Sequence, residues 1–254
     1  MTFAENSGLS VHGYTLLLHL DLPQWMIDYQ GTSAEWLAMM ETHIETVATH
    51  YTGKVVSWDV LNEAIDDDLN FRSTIWYNNI GEDYIGAAFD AAHRAAPDAD
   101  LYYNDYNLSG VPEKMDAVLE MVDQQITGGT PIHGIGLQMH INIYWPDNCT
   151  IQSALQKIVD RNLKVRISEL DIAVNPDKDQ NLSELTPALA ELQKQKFKDV
   201  VSIYQQTVPF ELQGGITTWG LTDDDSWLLT FEEGRPEWPL LFNEDYTPKD
   251  AYEG

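Results

Sequence analysis

Two glutamates close short apolar runs of β-forming residues. Glu63 ends the run in residues 58–64 (WDVLNEA), and Glu169 ends the run in residues 165–171 (VRISELD). Glycoside hydrolysis needs one carboxylic acid that protonates the leaving oxygen and one carboxylate that faces the anomeric carbon. Strands on opposite walls of a narrow barrel would hold two such groups about 5 Å apart, the separation of a retaining mechanism. The pair therefore indicates glycosidase chemistry, although either glutamate alone is more typical of a solvated loop.

Polar neighbours could support both carboxylates. Asn62, beside Glu63, is placed to hydrogen-bond a sugar 2-hydroxyl, a contact that strengthens in the transition state. His140 could bond Glu169 and keep it ionised, and Asp171 could orient that imidazole. A lone histidine on a strand is more often a core residue, and His140 is a candidate only because other polar side chains should share its rim. Those side chains are His19 and Gln138.

Aromatic residues indicate the substrate class. They make up 11% of the chain, with eight tryptophans and twelve tyrosines. Trp58 and Trp76 are expected in the core, but Trp219 lies at the end of the last predicted strand and Trp227 follows that strand among polar residues. Sugar rings present C–H faces that stack on indoles. Together with two carboxylates, these tryptophans favour a carbohydrate cleft.

The chemistry requires a scaffold that brings strand ends together. Short β-rich runs alternate with longer helical ones, which predicts parallel strands in βαβ units. Strands are predicted at residues 11–19, 55–62, 100–104, 134–140, 165–170 and 215–220, and helices at residues 33–51, 82–96, 112–126, 151–161 and 182–206. In a (β/α)8 barrel the carboxyl ends of the strands converge on one mouth. An open doubly wound sheet is less well supported, because no GxGxxG follows the first strand.

Charge and composition exclude several function classes. The 254 residues include 41 acidic and 14 basic side chains, a formal charge of -27. Such a charge argues against nucleic acid and against an anionic membrane surface as partners. It predicts a well-solvated surface or adaptation to a salty habitat, where screening offsets repulsion between like charges. Cys149 is the only cysteine, so no intrachain disulfide or cysteine-based metal site is expected.

No apolar run is long enough for a transmembrane helix, and residues 1–10 lack the features of a signal peptide. A cytoplasmic protein and a secreted one without its signal in this sequence both fit.

Ordered motifs across nearly the whole chain resemble those of glycoside hydrolase family 10, mostly endo-β-1,4-xylanases. The segments HGYTLLLH and LPQW are similar to the family's third strand and loop, and WDVLNEA to its acid/base segment. The others are NDYN, GIGLQMH, ISELD, TWGLTD through Trp227, and the tail YTPKDAY. The resemblance predicts one catalytic barrel domain over residues 1–254.

The resemblance implies a retaining, extracellular endo-1,4-β-xylanase that acts on xylan without a metal or organic cofactor. It makes Glu63 the general acid/base and Glu169 the nucleophile. Implied substrate-binding residues are His19, Trp25, Asn62, Tyr106, Gln138, His140, Trp219 and Trp227, with Asp171 supporting His140. A β-1,4-glucanase and a non-catalytic carbohydrate-binding or scaffold fragment are the alternatives.

The chain departs from the family at both ends. The family's first two βα units have no counterpart before residue 11, and the final barrel helix should begin where the sequence stops. The expected fold is therefore an α/β barrel of the (β/α)8 type, incomplete and with about six strands. An open barrel would expose strand edges and apolar surface. We therefore expect a second copy of the chain or a further segment to complete it.

Overall fold

The computed structural model describes residues 1–231 and 234–253. It consists of two compact units, and each unit is formed by two separate segments of the chain. The first comprises Met1–Asp105 and Glu113–Gly136, and the second Tyr106–Pro112 and Leu137–Gly254. Strands alternate with helices in both.

The first unit is built around a parallel sheet. Its elements are α1 (Thr2–Ser7), β1 (His12–Gly13), α2 (Gln24–Ile27), α3 (Ser33–His50), β2 (Ser57–Asn62), α4 (Ile75–Ile80), α5 (Tyr84–Ala95), β3 (Asp100–Asp105), α6 (Pro112–Thr127) and β4 (Gly134–Leu137). The strand order is β1-β2-β3-β4. β2 runs parallel to β1 and to β3, with a register shift between Asp59 and Leu61.

Burial explains why these segments form the sheet and its covering helices. Every residue of β2 is buried, as expected for a parallel strand covered on both faces. α3 buries Trp36, Met40 and Ile44 at four-residue spacing. Its first turn is closed by a capping box, in which Thr32 and Glu35 satisfy each other's backbone N–H groups.

The first strand is shorter than predicted. Residues 11–19 were expected to be extended, but the regular ladder covers only His12–Gly13. The rest of the segment still follows β2: the Leu16 N–H donates to Asp59 O, and the Asn62 N–H donates to Leu17 O. Thr15 Oγ1 adds side-chain bonds to Asp59 O and Asn62 Oδ1 along the same edge. α1, α2 and α4 were not predicted.

The second unit centres on one long strand. Its elements are β5 (His140–Asn142), α7 (Asn148–Val159), β6 (Lys164–Ala173), α8 (Pro187–Thr207) and β7 (Gln213–Thr218), with 3-10 turns at Phe210–Leu212, Asp223–Asp225, Trp227–Leu229 and Asp250–Glu253. β6 lies between β5 and β7 and is parallel to both. All seven residues from Ile167 to Ala173 are buried.

Several predicted boundaries in this region were wrong, three of them for a visible reason or by a clear margin. The strand expected at residues 134–140 is split into β4 and β5, because Met139 has a left-handed φ of 58° that breaks a ladder. β6 continues three residues beyond the predicted end at residue 170. α8 begins at Pro187, not residue 182, because Thr186 caps the helix and proline suits its first turn.

The described residues contain seven strands, where about six were predicted. The extra strand is the short β5. Within the same residues, no helix is long and apolar enough to cross a membrane. Trp58 and Trp76 are buried, as the sequence predicted.

Candidate active site

Glu63 directly follows β2 on a strained backbone. Its φ is 58°, in the left-handed region that a glutamate adopts at a cost of about 1–3 kcal/mol. Two backbone bonds hold it there: its N–H donates to Asn104 O at 2.9 Å, and its carbonyl accepts from Arg72 Nε at 2.8 Å. The conformation turns the chain out of the sheet, at the carboxyl end of β2.

Asn62 and His19 lie in the same unit and present polar atoms suited to a sugar. Thr15 Oγ1 donates to Asn62 Oδ1 at 3.0 Å, which turns the amide nitrogen of Asn62 the other way. That nitrogen and Nδ1 of His19 are buried without a hydrogen-bond partner in the described part of the chain. Burial lowers the pKa of His19, although the charge of Glu63 partly opposes this. His19 is therefore neutral at pH 7.

Glu169 lies inside β6 and is bridged to Asp171 by one imidazole. Its Oε2 is 3.3 Å from Nε2 of His140, and Asp171 Oδ2 is 2.9 Å from Nδ1 of the same ring. The parallel register of β5 and β6, with His140 opposite Asp171, places the three side chains together. Both carboxylates are almost fully buried. The contacts are those expected from the sequence.

The electrostatics of this trio favour an imidazolium. Burial disfavours charge on His140, but Asp171 and Glu169 outweigh it and raise the pKa of His140 to about 9. With both ring nitrogens donating, the cation at neutral pH faces two carboxylates. Glu169 therefore lies beside a fixed positive charge, an environment suited to a carboxylate nucleophile.

Two tryptophans pack around His140. The ring centroid of Trp227 lies 4.9 Å from that of the imidazole, and that of Trp219 lies 6.4 Å away. Trp227 Nε1 also donates to Asp171 Oδ2 at 2.8 Å. The sequence predicted both rings as walls of the site, but it did not predict this bond. Trp227 therefore both packs against the imidazole and holds the carboxylate of Asp171.

The remaining predicted residues are distributed over the two units. Gln138 is buried beside the candidate nucleophile, and its carbonyl accepts the N–H of Glu169 at 3.1 Å. Tyr106 is half-buried in the second unit. Trp25 lies in α2 of the first unit and is 60% exposed. An exposed indole is available for stacking against a sugar ring.

Sequence reasoning missed several residues that shape the surroundings of Asn62 and Glu63 in the first unit. They are Thr15, Arg72, Tyr103 and Lys114, and the contribution of Asp105 went unnoticed within the NDYN segment. Arg72 and Lys114 could have been singled out from the sequence, because basic residues are scarce in this strongly acidic chain. In the described ranges, no group of three or more His, Cys, Asp or Glu side chains is suited to hold a metal ion.

Comparisons with known proteins agree on one family. The model of glycosyl hydrolase family 10 matches residues 1–254. Endo-1,4-beta-xylanase A of Cellvibrio japonicus is 38% identical over the whole of this chain. The chain spans 45% of the length of that relative.

Solved structures show the same fold. Xylanase 10B of Thermotoga petrophila in complex with xylobiose superposes with a TM-score of 0.91 at 34% identity, covering 99% of this chain and 74% of that one. A mutant of Xylanase10C of Cellvibrio japonicus in complex with xylopentaose gives 0.93 at 39% identity, covering 98% and 53%. The predicted fold class, an incomplete (β/α)8-type barrel, is thereby confirmed. The chain belongs to glycosyl hydrolase family 10.

Proposed function

We propose that this chain carries the catalytic centre of a retaining endo-1,4-β-xylanase. The observation that carries the proposal is the Glu169–His140–Asp171 arrangement, in which a buried carboxylate contacts an imidazole whose pKa is raised to about 9. A carboxylate held beside a positively charged imidazole is suited to act as a nucleophile. The family and its xylanase relatives support the same reaction.

The proposed mechanism has two displacements. Glu169 attacks the anomeric carbon while Glu63 gives its proton to the departing glycosidic oxygen, so that a glycosyl-enzyme ester forms and the leaving chain departs as an alcohol. Glu63, now ionised, takes a proton from water, and the resulting oxygen nucleophile displaces Glu169 from the anomeric carbon. The configuration at that carbon is retained. The reaction requires no metal or organic cofactor.

Residues around the glutamates have supporting roles in this proposal. The buried amide nitrogen of Asn62 is oriented to donate to a sugar 2-hydroxyl. The indoles of Trp25, Trp219 and Trp227 supply stacking faces, and Tyr106, Gln138 and His19 supply polar contacts. Two solved relatives hold xylobiose and xylopentaose, which favours xylan and xylo-oligosaccharides as substrates. A polymeric substrate implies an extracellular enzyme.

Reducing-sugar release from xylan tests the assignment. Glu63→Gln and Glu169→Gln should each lower the rate at least roughly 100-fold, whereas Glu120→Gln, on the exposed face of α6, should retain wild-type activity. Proton NMR of the first products should show the β-anomer. Wild-type rates in either active-site variant, or an α-anomer, would contradict the mechanism.

Two alternatives give different results in the same assay. Faster hydrolysis of carboxymethyl-cellulose than of xylan would indicate a β-1,4-glucanase. Binding of xylohexaose by calorimetry without any release of reducing sugar would indicate a carbohydrate-binding or scaffold role.

A further inference from the structure

The backbone just after Glu63 is held by a buried tyrosine. The hydroxyl of Tyr103, on β3, accepts the N–H of Ala64 at 2.9 Å and that of Ile65 at 3.3 Å. It donates its own proton to Asp105 Oδ2 at 2.5 Å. Because a hydroxyl has one proton and two lone pairs, these three bonds use its full capacity. The oxygen of Tyr103 is therefore fixed in position and direction.

The carboxylate that accepts the proton of Tyr103 belongs to a buried ion pair. Lys114 Nζ, from α6, lies 3.1 Å from Asp105 Oδ1, and the two side chains are 1% and 0% exposed. Lys114 also lies 3.5 Å from Asp67, in the loop that follows Glu63. Removing two charges from water costs free energy that their attraction often fails to offset, so such a pair is weak evidence for a stabilising role. Because Asp105 also bonds the hydroxyl of Tyr103, the pair is better suited to hold that hydroxyl in position.

The charged and titratable groups around Asp105 belong to four elements. Lys114 is on α6, Tyr103 is on β3, Tyr84 is on α5, and Glu63 follows β2. Burial raises the pKa of Asp105 to about 7, with Lys114 opposing the rise and Glu63 adding to it. The charges of Asp105 and Glu63 therefore influence each other.

The loop that follows Glu63 is closed on its other side by Arg72. The N–H of Arg72 donates to Ala64 O at 2.8 Å, and an Ile65–Phe71 bridge brings the two arms of the loop together. Arg72 Nε holds the Glu63 carbonyl, as described above. Residues 63–65 are thus fixed from two sides, although the φ of Glu63 is unfavourable. A glutamate keeps a left-handed backbone conformation only where several surrounding contacts hold it there.

We propose that Tyr103, Asp105 and Lys114 form a positioning network that fixes the backbone of residues 63–65, so that the Glu63 carboxyl meets the glycosidic oxygen in line for proton transfer. The inference rests on the proposed function and deepens it, because it assigns three positioning residues to the acid/base step. None of the three needs to touch the sugar. Their effect is transmitted through the peptide groups that follow Glu63.

The experiment compares two aryl β-xylobiosides. A 2,4-dinitrophenyl group leaves without a proton, whereas a phenyl group needs one from the general acid. Tyr103→Phe should lower kcat/KM for the phenyl glycoside roughly 10- to 100-fold, because small misplacements of a catalytic group are costly. For the dinitrophenyl glycoside the change should stay within about threefold, because no proton transfer is required in that step.

Tyr204→Phe is the matched control. The Tyr204 hydroxyl is also buried and bonded to two backbone groups, donating to Val165 O and accepting the N–H of Gly215. Loss of that hydroxyl should lower the melting temperature to a similar extent and leave the ratio of the two kcat/KM values unchanged. The proposed network would be wrong if the ratio of the two kcat/KM values were unchanged in Tyr103→Phe. It would also be wrong if that ratio shifted equally in Tyr103→Phe and Tyr204→Phe.

Asp105→Asn provides a second route if Tyr103→Phe does not fold. Asparagine keeps the shape and one acceptor but removes the charge, so the ratio should shift in the same direction. A wild-type chain that cleaves neither glycoside would overturn the proposed function itself. A wild-type chain that cleaves both, with equal ratios in every variant, would overturn only the network.

Discussion

Trp227 and Asp171 are joined by a hydrogen bond of 2.8 Å, from the indole Nε1 to carboxylate Oδ2. The same oxygen lies 2.9 Å from Nδ1 of His140. One carboxylate oxygen thus connects an aromatic wall of the candidate site to the imidazole that contacts Glu169. Displacement of the indole would therefore disturb the environment of Glu169, the proposed nucleophile.

Trp227→Phe tests this link, because it keeps an aromatic ring and removes the N–H donor. We expect kcat/KM on xylan to fall about 10-fold, as for loss of one hydrogen bond to a charged group. Trp219→Phe controls for the change of an indole to a phenyl ring near His140. Equal losses in the two variants would show that the N–H group has no special effect.

The charge of His140 depends on Asp171. Asp171→Asn should lower the pKa of His140 from about 9 towards its ordinary value near 6.5, because the principal attraction offsetting burial is removed. NMR titration of the imidazole resonances measures the pKa directly, and His140→Gln identifies the signal. A value still near 9 in Asp171→Asn would assign the elevation to Glu169 alone.

The raised pKa of His140 also affects folding stability. The folded chain holds this proton up to about pH 9, whereas the unfolded chain releases it near 6.5. The stabilisation is fully present below pH 6.5 and is lost as the pH rises to 9. Over that window, the free energy of unfolding should fall more steeply in the wild type than in His140→Gln, by up to about 1.4 kcal/mol per pH unit.

Urea unfolding at half-unit pH intervals measures those slopes. His50→Gln, at the exposed end of α3, controls for loss of an imidazole. Parallel curves for the wild type and His140→Gln would contradict the linkage.

Thr15 orients the amide of Asn62. Thr15→Val removes the donor to Asn62 Oδ1 and should lower kcat/KM on xylan about 5- to 10-fold, since the amide is free to turn its oxygen towards the sugar. Thr46→Val, which loses an exposed bond to Thr42 O on α3, is the matched control. Equal kinetics in the two variants would exclude an orienting role.

The formal charge of -27 predicts a particular response to salt. Screening weakens repulsion between exposed carboxylates, so the melting temperature and xylan hydrolysis should hold steady or rise between low salt and 1 M NaCl. Thermal unfolding and reducing-sugar assays across that range provide the test. A steady decline of both above low salt would contradict adaptation to a salty habitat.

The cluster around Glu169 was accessible from sequence because it depends on strand periodicity. His140, Glu169 and Asp171 occur at or next to predicted strand ends, and parallel pairing of neighbouring strands then brings them together. The alternation of strands and helices likewise predicted the fold class. These features follow from local patterns, which a single sequence displays.

The setting of Glu63 depends on contacts that a single sequence does not display. A lysine within a helix ordinarily indicates a solvated face, yet Lys114 is buried because Asp105 meets it from another element. The left-handed φ of Glu63 and Met139 is equally invisible, because neither residue type favours it. Thr15 was assigned to a regular strand, whereas it lies beyond the end of β1 and its side chain bonds to Asp59 O and Asn62 Oδ1.

The left-handed backbone at Glu63 separates what the fold prefers from what the reaction needs. Glycine is the residue that adopts a φ of 58° without a steric penalty, and it would serve the turn out of β2 at least as well. A glutamate at this position therefore destabilises the folded state, and its carboxyl group is what glycine would not supply. Stability and activity make opposing demands on residue 63, so selection for heat resistance alone would favour replacing the residue that we propose delivers the proton.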